Sequence, residues 1–370
     1  MLLILFLSAF VSLIFAVLLV RFKRLHARFS IDSDLDGVQK FHSMPVPRIG
    51  GVAIFAGLLA GVLLSFLSQA NSLGLALLAI ALPAFFSGLL EDLTKKVGAA
   101  ARLLATFVSA VLGFALLHAA VARVGVAWVD GLLSHYLVFS LVFTMVAVGG
   151  VAHSINIIDG YNGLSGMVSL IIFLALAYVS FKTGDSVLMA VSLAACGAVA
   201  GFLLLNYPLG LIFSGDGGAY LQGFMIAEIA VLLVARNPDV SPWCPLLLVI
   251  YPVFETLFSI YRRKVLQGRS VGHPDALHLH SVIYRRLVRW MVGSKESKHL
   301  TRRNSMTAPY LWTLATLSVV PAVLFWRHTY VLMLCVVLFI GLYIYLYRMI
   351  VHFKAPRWMV VRKKTSRTQR

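Results

Sequence analysis

Apolar residues in this chain neither alternate with polar ones nor keep to one helical face. They come in long runs closed by short polar stretches, beginning near Leu2, Gly50, Leu73, Arg102, Tyr136, Gly166, Val187, Ala219, Pro245, Pro309 and Tyr330. A helix crossing a bilayer needs about 20 mostly apolar residues, which each run supplies. Continuous runs predict helices and not a barrel, whose strands would alternate, and a helix satisfies its own backbone hydrogen bonds in lipid. The pattern predicts an all-α polytopic membrane protein with about eleven transmembrane helices. Residues 1–350 form one integral-membrane domain and residues 351–370 a basic tail.

Composition sharpens this. The chain is 60% hydrophobic and 12% charged, with a mean hydropathy of +0.90; a soluble domain is about 25% charged. With the N-terminus on the periplasmic side, only Arg123, Lys182, Arg236 and Arg327 of the 32 Lys and Arg face outward. The positive-inside rule therefore predicts a cytoplasmic C-terminus and cytoplasmic catalytic loops. The first run has no basic segment before it and is followed by Arg21-Phe22-Lys23-Arg24, so it reads as a signal anchor and not a cleaved peptide. Topology and attraction to anionic headgroups, about 1 kcal/mol per basic residue near the surface, account for the net charge of +18. Membrane lipids, not nucleic acid, are the expected partner. Cys196, Cys244 and Cys335 lie in or beside apolar runs without paired spacing, which points to neither a disulfide framework nor a zinc site. No internal repeat supports an inverted-repeat transporter.

Candidate chemistry collects in the inward segments. Acidic residues number 14, and Glu91, Asp92, Asp159 and Asp216 stand where apolar runs meet the cytoplasm, near glycines and basic residues. That combination suggests a metal ion and a phosphorylated substrate. Asn156 and Asp159, three apart, share a face if their helix continues that far; they could read a base edge or ribose or hold a metal, or simply end a helix. The Gly215-Asp216-Gly217-Gly218 turn could cradle an anion and offer a hard oxygen to Mg²⁺, and reads equally as an ordinary helix start. Adjacent Glu91 and Asp92 do not share a helix face and so suit two tasks, or serve as an interfacial cap. His278 and His280 could grip a diphosphate, or be solvated loop residues. His42 to Gly51 mixes cations, prolines and glycines at a helix entrance, suited to a lipid phosphate or to headgroup anchoring. Glu255 and the deeper Glu228 are ionisable groups inside predicted spans.

Together these segments resemble the polyprenyl-phosphate N-acetylhexosamine-1-phosphate transferase family over about residues 36 to 290. The family's His followed by Pro-x-Pro-Arg-x-Gly-Gly is matched by His42, Pro45, Pro47, Arg48, Gly50 and Gly51. Its acidic pair aligns with Glu91 and Asp92, and a downstream Arg with Arg102. Asn156, Asp159, Gly160, Gly163 and Leu164 match the next motif, Gly215, Asp216 and Gly218 the glycine turn, and Asp275, His278 and His280 the last. Three positions depart from the pattern: Glu91 replaces an Asp, Asn162 an Asp, and Ser281 a further His. These departures argue against the peptidoglycan branch and for an O-antigen-like or capsule-like one.

The resemblance implies a bacterial inner-membrane enzyme that transfers N-acetylhexosamine-1-phosphate from a UDP-sugar to undecaprenyl phosphate and releases UMP. It implies Mg²⁺, with Mn²⁺ as a substitute, on Asp216 as chief ligand together with Asp159. Glu91 and Asp92 would act at the lipid phosphate, Asn156 and Asp159 at the nucleotide, and His278 and His280 at the diphosphate or sugar. His42, Arg48, Arg102 and Asn162 complete the expected substrate contacts, and a homodimer is compatible with the reading. The rivals are transfer of phospho-MurNAc-pentapeptide and, in another class, a flippase for polyprenyl-linked glycans.

Overall fold

The computed structural model describes residues 1–32, 46–268, 277–288 and 297–352, so His42, Asp275 and the basic tail lie outside the described residues. Helices α1 (Leu2–Arg21) and α2 (Lys23–Ser30) open the chain. A two-residue antiparallel pair, β1 (Ile31–Asp32) with β2 (Val46–Pro47), leads into α3 (Gly50–Gln69). Then follow α4 (Leu73–Ile80), α5 (Leu82–Thr94), α6 (Ala99–Leu117), α7 (Ala127–His135), α8 (Leu137–Ile158), α9 (Leu164–Thr183), α10 (Ser186–Asn206) and α11 (Gly215–Arg236). The chain continues through α12 (Trp243–Leu248), α13 (Ile250–Tyr261), α14 (Leu279–Ile283), α15 (Ser297–Leu324) and α16 (Thr329–Val351).

Every predicted run is helical, and the fold is all-α and polytopic. Among the described residues nine single helices are long and apolar enough to cross a membrane. The α4–α5 pair, bent by 41°, passes the same test only when its two helices are taken together, which gives ten spans at most among the described residues, against the eleven expected. Pro83 stands in the first turn of α5 and lacks an N–H, and the Ser109 hydroxyl of α6 accepts from the Ala84 amide at 3.2 Å beside the bend. The run expected from Pro245 is instead two short helices, α12 and α13, meeting at Val249 and followed by a π-helical turn, Arg262–Leu266.

Helices in lipid gain little from apolar burial against each other and associate through close packing of small residues. In α10, a Cβ at Gly197 would collide with the carbonyl of Leu5 and one at Gly201 with that of Ala9, so α1 lies backbone to backbone on α10. The Ser8 backbone of α1 approaches Gly57 of α3 just as closely. The central helix is α11, buried along almost its whole length from Gly215 to Leu233 and enclosed by α3, α5, α6, α8 and α9. At its C-terminal end Arg123 donates to the carbonyls of Val234, Asn237 and Val240, at 3.2, 3.2 and 2.8 Å, where a cation also suits the helix dipole. Its N-terminal end is where the candidate chemistry lies.

Candidate active site

The glycine turn before α11 is built by three neighbours. Gly215 has φ +71, and a side chain there would collide with the Arg48 carbonyl and the Asp92 carboxylate. From α5, Asp92 accepts the amide of Asp216 on Oδ1 and that of Gly217 on Oδ2, both at 2.9 Å, and is 1% exposed. The first amides of a helix have no intrahelical acceptor, and a carboxylate is the strongest one available. Meanwhile the entrance to α3 is laced onto the same turn: Phe213 N donates to Pro47 O, Gly50 N to Phe213 O and Gly51 N to Ser214 O, at 2.8–2.9 Å. This brings Arg48 over the start of α11.

Asp216 is the hub. Its Oδ1 accepts from Asn156 Nδ2 of α8 at 3.0 Å and lies 3.9 Å from Arg48 Nη2, while Oδ2 pairs with Arg102 Nη1 at the start of α6. Its side chain is 15% exposed, so these ion pairs are formed with little water to screen them. Arg102 also stands 5.8 Å from the centre of the Tyr220 ring, and the Tyr220 hydroxyl is 2.9 Å from His153 Nδ1. The Arg102 Nε donor is buried with no hydrogen-bond partner among the described residues, a cationic donor left for an anion.

Asp159 follows α8 and accepts from the Ser165 hydroxyl. Burial pushes its carboxyl up to about 6, against the opposing pull of Ser165 and Arg48. The charge of Arg48 therefore acts on Asp159 as well as on Asp216, which lies 3.9 Å from it. Glu91 accepts from the Val97 amide at 2.7 Å and closes the turn after α5.

These donors suit a hard cation. No cluster of three or more His, Cys, Asp and Glu forms a protein cage among the described residues. Mg²⁺ requires only one or two carboxylates, with substrate phosphates and water completing its octahedron. Asp216 and Asp159 are carboxylates that such an ion could use, and at Asp216 it would take the place of an arginine side chain, whereas Asp92 has both oxygens on the backbone amides that start α11.

The histidines come from a distant segment. His278 and His280 stack with centroids 5.1 Å apart, and the Tyr161 ring meets His280 edge-on at 5.3 Å. A Cβ on Gly160 would lie 3.8 Å from His280 Nε2, so the pair adjoins the loop after Asp159.

Asn162 differs from the expectation of a substrate contact. It is 1% exposed; its amide donates to Asn304 Oδ1 at 2.7 Å and its side chain to Ser305 Oγ at 3.1 Å, both on α15. The side chain is committed to inter-helix bonding because the loop from Asp159 to Gly163 must satisfy its backbone inside the protein. Asn206 does the same from α10, accepting from Gly163 N and donating to Ile212 O, each at 2.7 Å. Asn304→Ala should then lower stability by about 1–3 kcal/mol, the cost of leaving a buried amide unpaired. Thermal unfolding in detergent reads this, and an unchanged Tm would show that α15 does not hold the loop.

The described site therefore unites Arg48, Glu91, Asp92, Arg102, Asn156, Asp159 and Asp216 at one end of the bundle, with His278 and His280 beside it. Sequence reasoning missed His153 and Tyr220. A signal existed: His153 lies one turn before Asn156, and Tyr220 one turn after Asp216. Asn206 offered none, being a single polar residue at the end of an apolar run, and Asn304 and Ser305 lie in a polar stretch, Thr301 to Thr307, where nothing singles them out.

A family model described as glycosyl transferase family 4 matches residues 74–234, from α4 nearly to the end of α11. The chain is 28% identical over 249 residues to a Bacillus subtilis protein named probable undecaprenyl-phosphate N-acetylglucosaminyl 1-phosphate transferase, covering 65% of this chain and 66% of that one. It is 30% identical over 274 residues to a Mycobacterium tuberculosis decaprenyl-phosphate N-acetylglucosaminephosphotransferase, covering 65% of each. With the Escherichia coli undecaprenyl-phosphate alpha-N-acetylglucosaminyl 1-phosphate transferase it shares 26% over 266 residues, 68% of this chain and 69% of that one. The chain spans just under two thirds of the length of the first two relatives.

Proposed function

We propose that the chain is a member of glycosyl transferase family 4, whose model matches residues 74–234, and that it transfers N-acetylhexosamine-1-phosphate from a UDP-sugar to undecaprenyl phosphate, releasing UMP. The observation that carries the reading is the Asp216 hub, where segments far apart in the chain bring a carboxylate, two arginines and an amide together. The relatives' names favour N-acetylglucosamine as the sugar. The product would start O-antigen or another cell-surface polysaccharide. The one-sided distribution of Lys and Arg supports an inner-membrane protein with this end of the bundle in the cytoplasm.

In the reaction an oxygen of the lipid phosphate bonds to the phosphorus that carries the sugar, and the bond from that phosphorus to the UMP oxygen breaks. Both partners are anions, so repulsion is the first obstacle. Arg102 and Arg48 face it directly, pairing with phosphate oxygens as bidentate donors. Asp216 and Asp159 would hold Mg²⁺, or Mn²⁺ in its place, which when bound screens the diphosphate and stabilises the leaving UMP. Asn156 orients Asp216 and, with Asp159, lines the nucleotide side, while His278 and His280 reach the diphosphate or sugar. A phosphate monoester has its second pKa at about 6, so at neutral pH the lipid phosphate is already a nucleophile and needs no base. This fits the capping duties of Asp92, which holds the start of α11, and of Glu91, which closes the turn after α5.

Purified protein supplied with undecaprenyl phosphate, Mg²⁺ and a panel of labelled UDP-sugars should carry label from UDP-N-acetylglucosamine into lipid with equal release of UMP. Label from UDP-MurNAc-pentapeptide instead would select the peptidoglycan reaction. Movement of a preformed lipid-linked glycan without UMP release would select the flippase.

A further inference from the structure

The histidine segment is held from behind by groups that the reaction does not call on. Glu255 of α13 is 1% exposed and accepts three hydrogen bonds. Oε1 takes His278 Nδ1 at 3.0 Å and Leu279 N at 3.1 Å, and Oε2 takes the Tyr343 hydroxyl of α16 at 2.7 Å. One turn along α16, the Tyr347 hydroxyl donates to Leu277 O at 3.1 Å. Arg262, just beyond α13, donates to the same carbonyl at 2.7 Å and to the Tyr347 hydroxyl at 2.8 Å. Every bond ends on Leu277, His278 or Leu279, or on a group that touches them.

An ionised carboxylate only accepts, so Glu255 requires the proton of His278 to be on Nδ1. In the neutral ring Nε2 is then left as the acceptor. Fixing one ring also fixes its neighbour, because His280 stacks on His278 with 19° between the planes. Carboxylates behind metal-bound histidines work the same way, setting tautomer and basicity.

We propose that Glu255, braced by Tyr343, is a positioning residue that acts through His278 and sets the orientation and tautomer of the histidine pair toward the phosphorylated substrate. The proposal rests on the transferase reading. It brings α13 and α16, both outside the stretch matched by the family model, into the function of the site.

The test is a set of variants in purified full-length protein: Glu255→Ala, Glu255→Gln, Tyr343→Phe, His278→Ala and the Glu255→Ala/His278→Ala double variant. Glu255→Ala should lower kcat about 10–100-fold, the usual loss when the partner behind a functional histidine is removed. Glu255→Gln keeps an acceptor but not the charge, so it should recover most of that kcat while moving the histidine limb of the pH profile to lower pH. Tyr343→Phe should cost less than Glu255→Ala. The double variant should be no slower than His278→Ala alone. Losses that multiply in the double variant, or a glutamine variant with the wild-type pH profile, would overturn the proposal. A separate readout does not depend on turnover: ¹⁵N-histidine spectra should give His278 the Nδ1–H signature in wild type and lose it in Glu255→Ala. Wild-type protein that shows this signature but releases no UMP would refute the transferase reading and leave the positioning of His278 intact.

Discussion

Asp216→Asn is expected to cut UMP release by at least about 10³-fold, the upper range for losing a principal electrostatic group from an active site, while the protein stays folded. The asparagine keeps the size of the side chain and an acceptor for Asn156 Nδ2, but it no longer balances Arg102 and Arg48. Asp216→Ala should lose as much activity and should also unfold at a lower temperature, because the 14% exposed Arg102 side chain is left without its counter-ion. The measurement is initial-rate UMP release against Mg²⁺ concentration, alongside thermal unfolding in detergent. Near-normal turnover in a folded Asp216→Asn protein would remove Asp216 from the chemistry.

Asp92→Ala should be comparably damaging by a different route. It strips the acceptor from two buried amides at the start of α11. Hydrogen bonds to a charged group contribute about 1.5–3 kcal/mol each, so a loss of about 3 kcal/mol or more in stability should accompany a fall in activity of about 10²-fold. Glu91→Ala removes one bond to the Val97 amide in a half-buried turn and should cost about 1 kcal/mol. Unfolding and activity measured on both variants separate the roles. If Glu91→Ala were the more harmful to activity and Asp92→Ala left stability intact, Asp92 would not be the helix cap.

What the sequence revealed about the fold and site divides along physical lines. Membrane helices announce themselves through run length alone, a local property, and every predicted run is helical, nine of them as single helices. The break at Val249 was hidden because Pro245 and Pro252 stand in a stretch as apolar as the others, and nothing local separates a kinked rod from two short ones. Motif residues could be picked out because glycines, carboxylates and arginines are rare inside greasy sequence. Their tasks could not, since a task is set by partners remote in the chain. Asp92 reads as a carboxylate for the lipid phosphate, and only the fold shows that it also carries the amides of Asp216 and Gly217, 124 and 125 positions away. Asn162 reads as a weakened ligand until Asn304 and Ser305 are found 142 and 143 positions on. Glu255 stood out only as a charge inside a span, with no hint of the histidine it holds.

The backbone contact between α1 and α10 has a consequence for the order of assembly. Arg21, the last residue of α1, precedes Ser186, the first of α10, by 165 positions. During synthesis α1 leaves the ribosome long before the glycines of α10, so of its two close contacts only the one with Gly57 of α3 can form while the next half of the chain is made. Docking on α10 is a late event because the partner must first be made; the entropy of closing the loop grows only slowly with its length. The helix that carries Asp216 emerges later still. A nascent chain stopped before residue 186 would therefore have neither the α1–α10 contact nor the helix that carries Asp216.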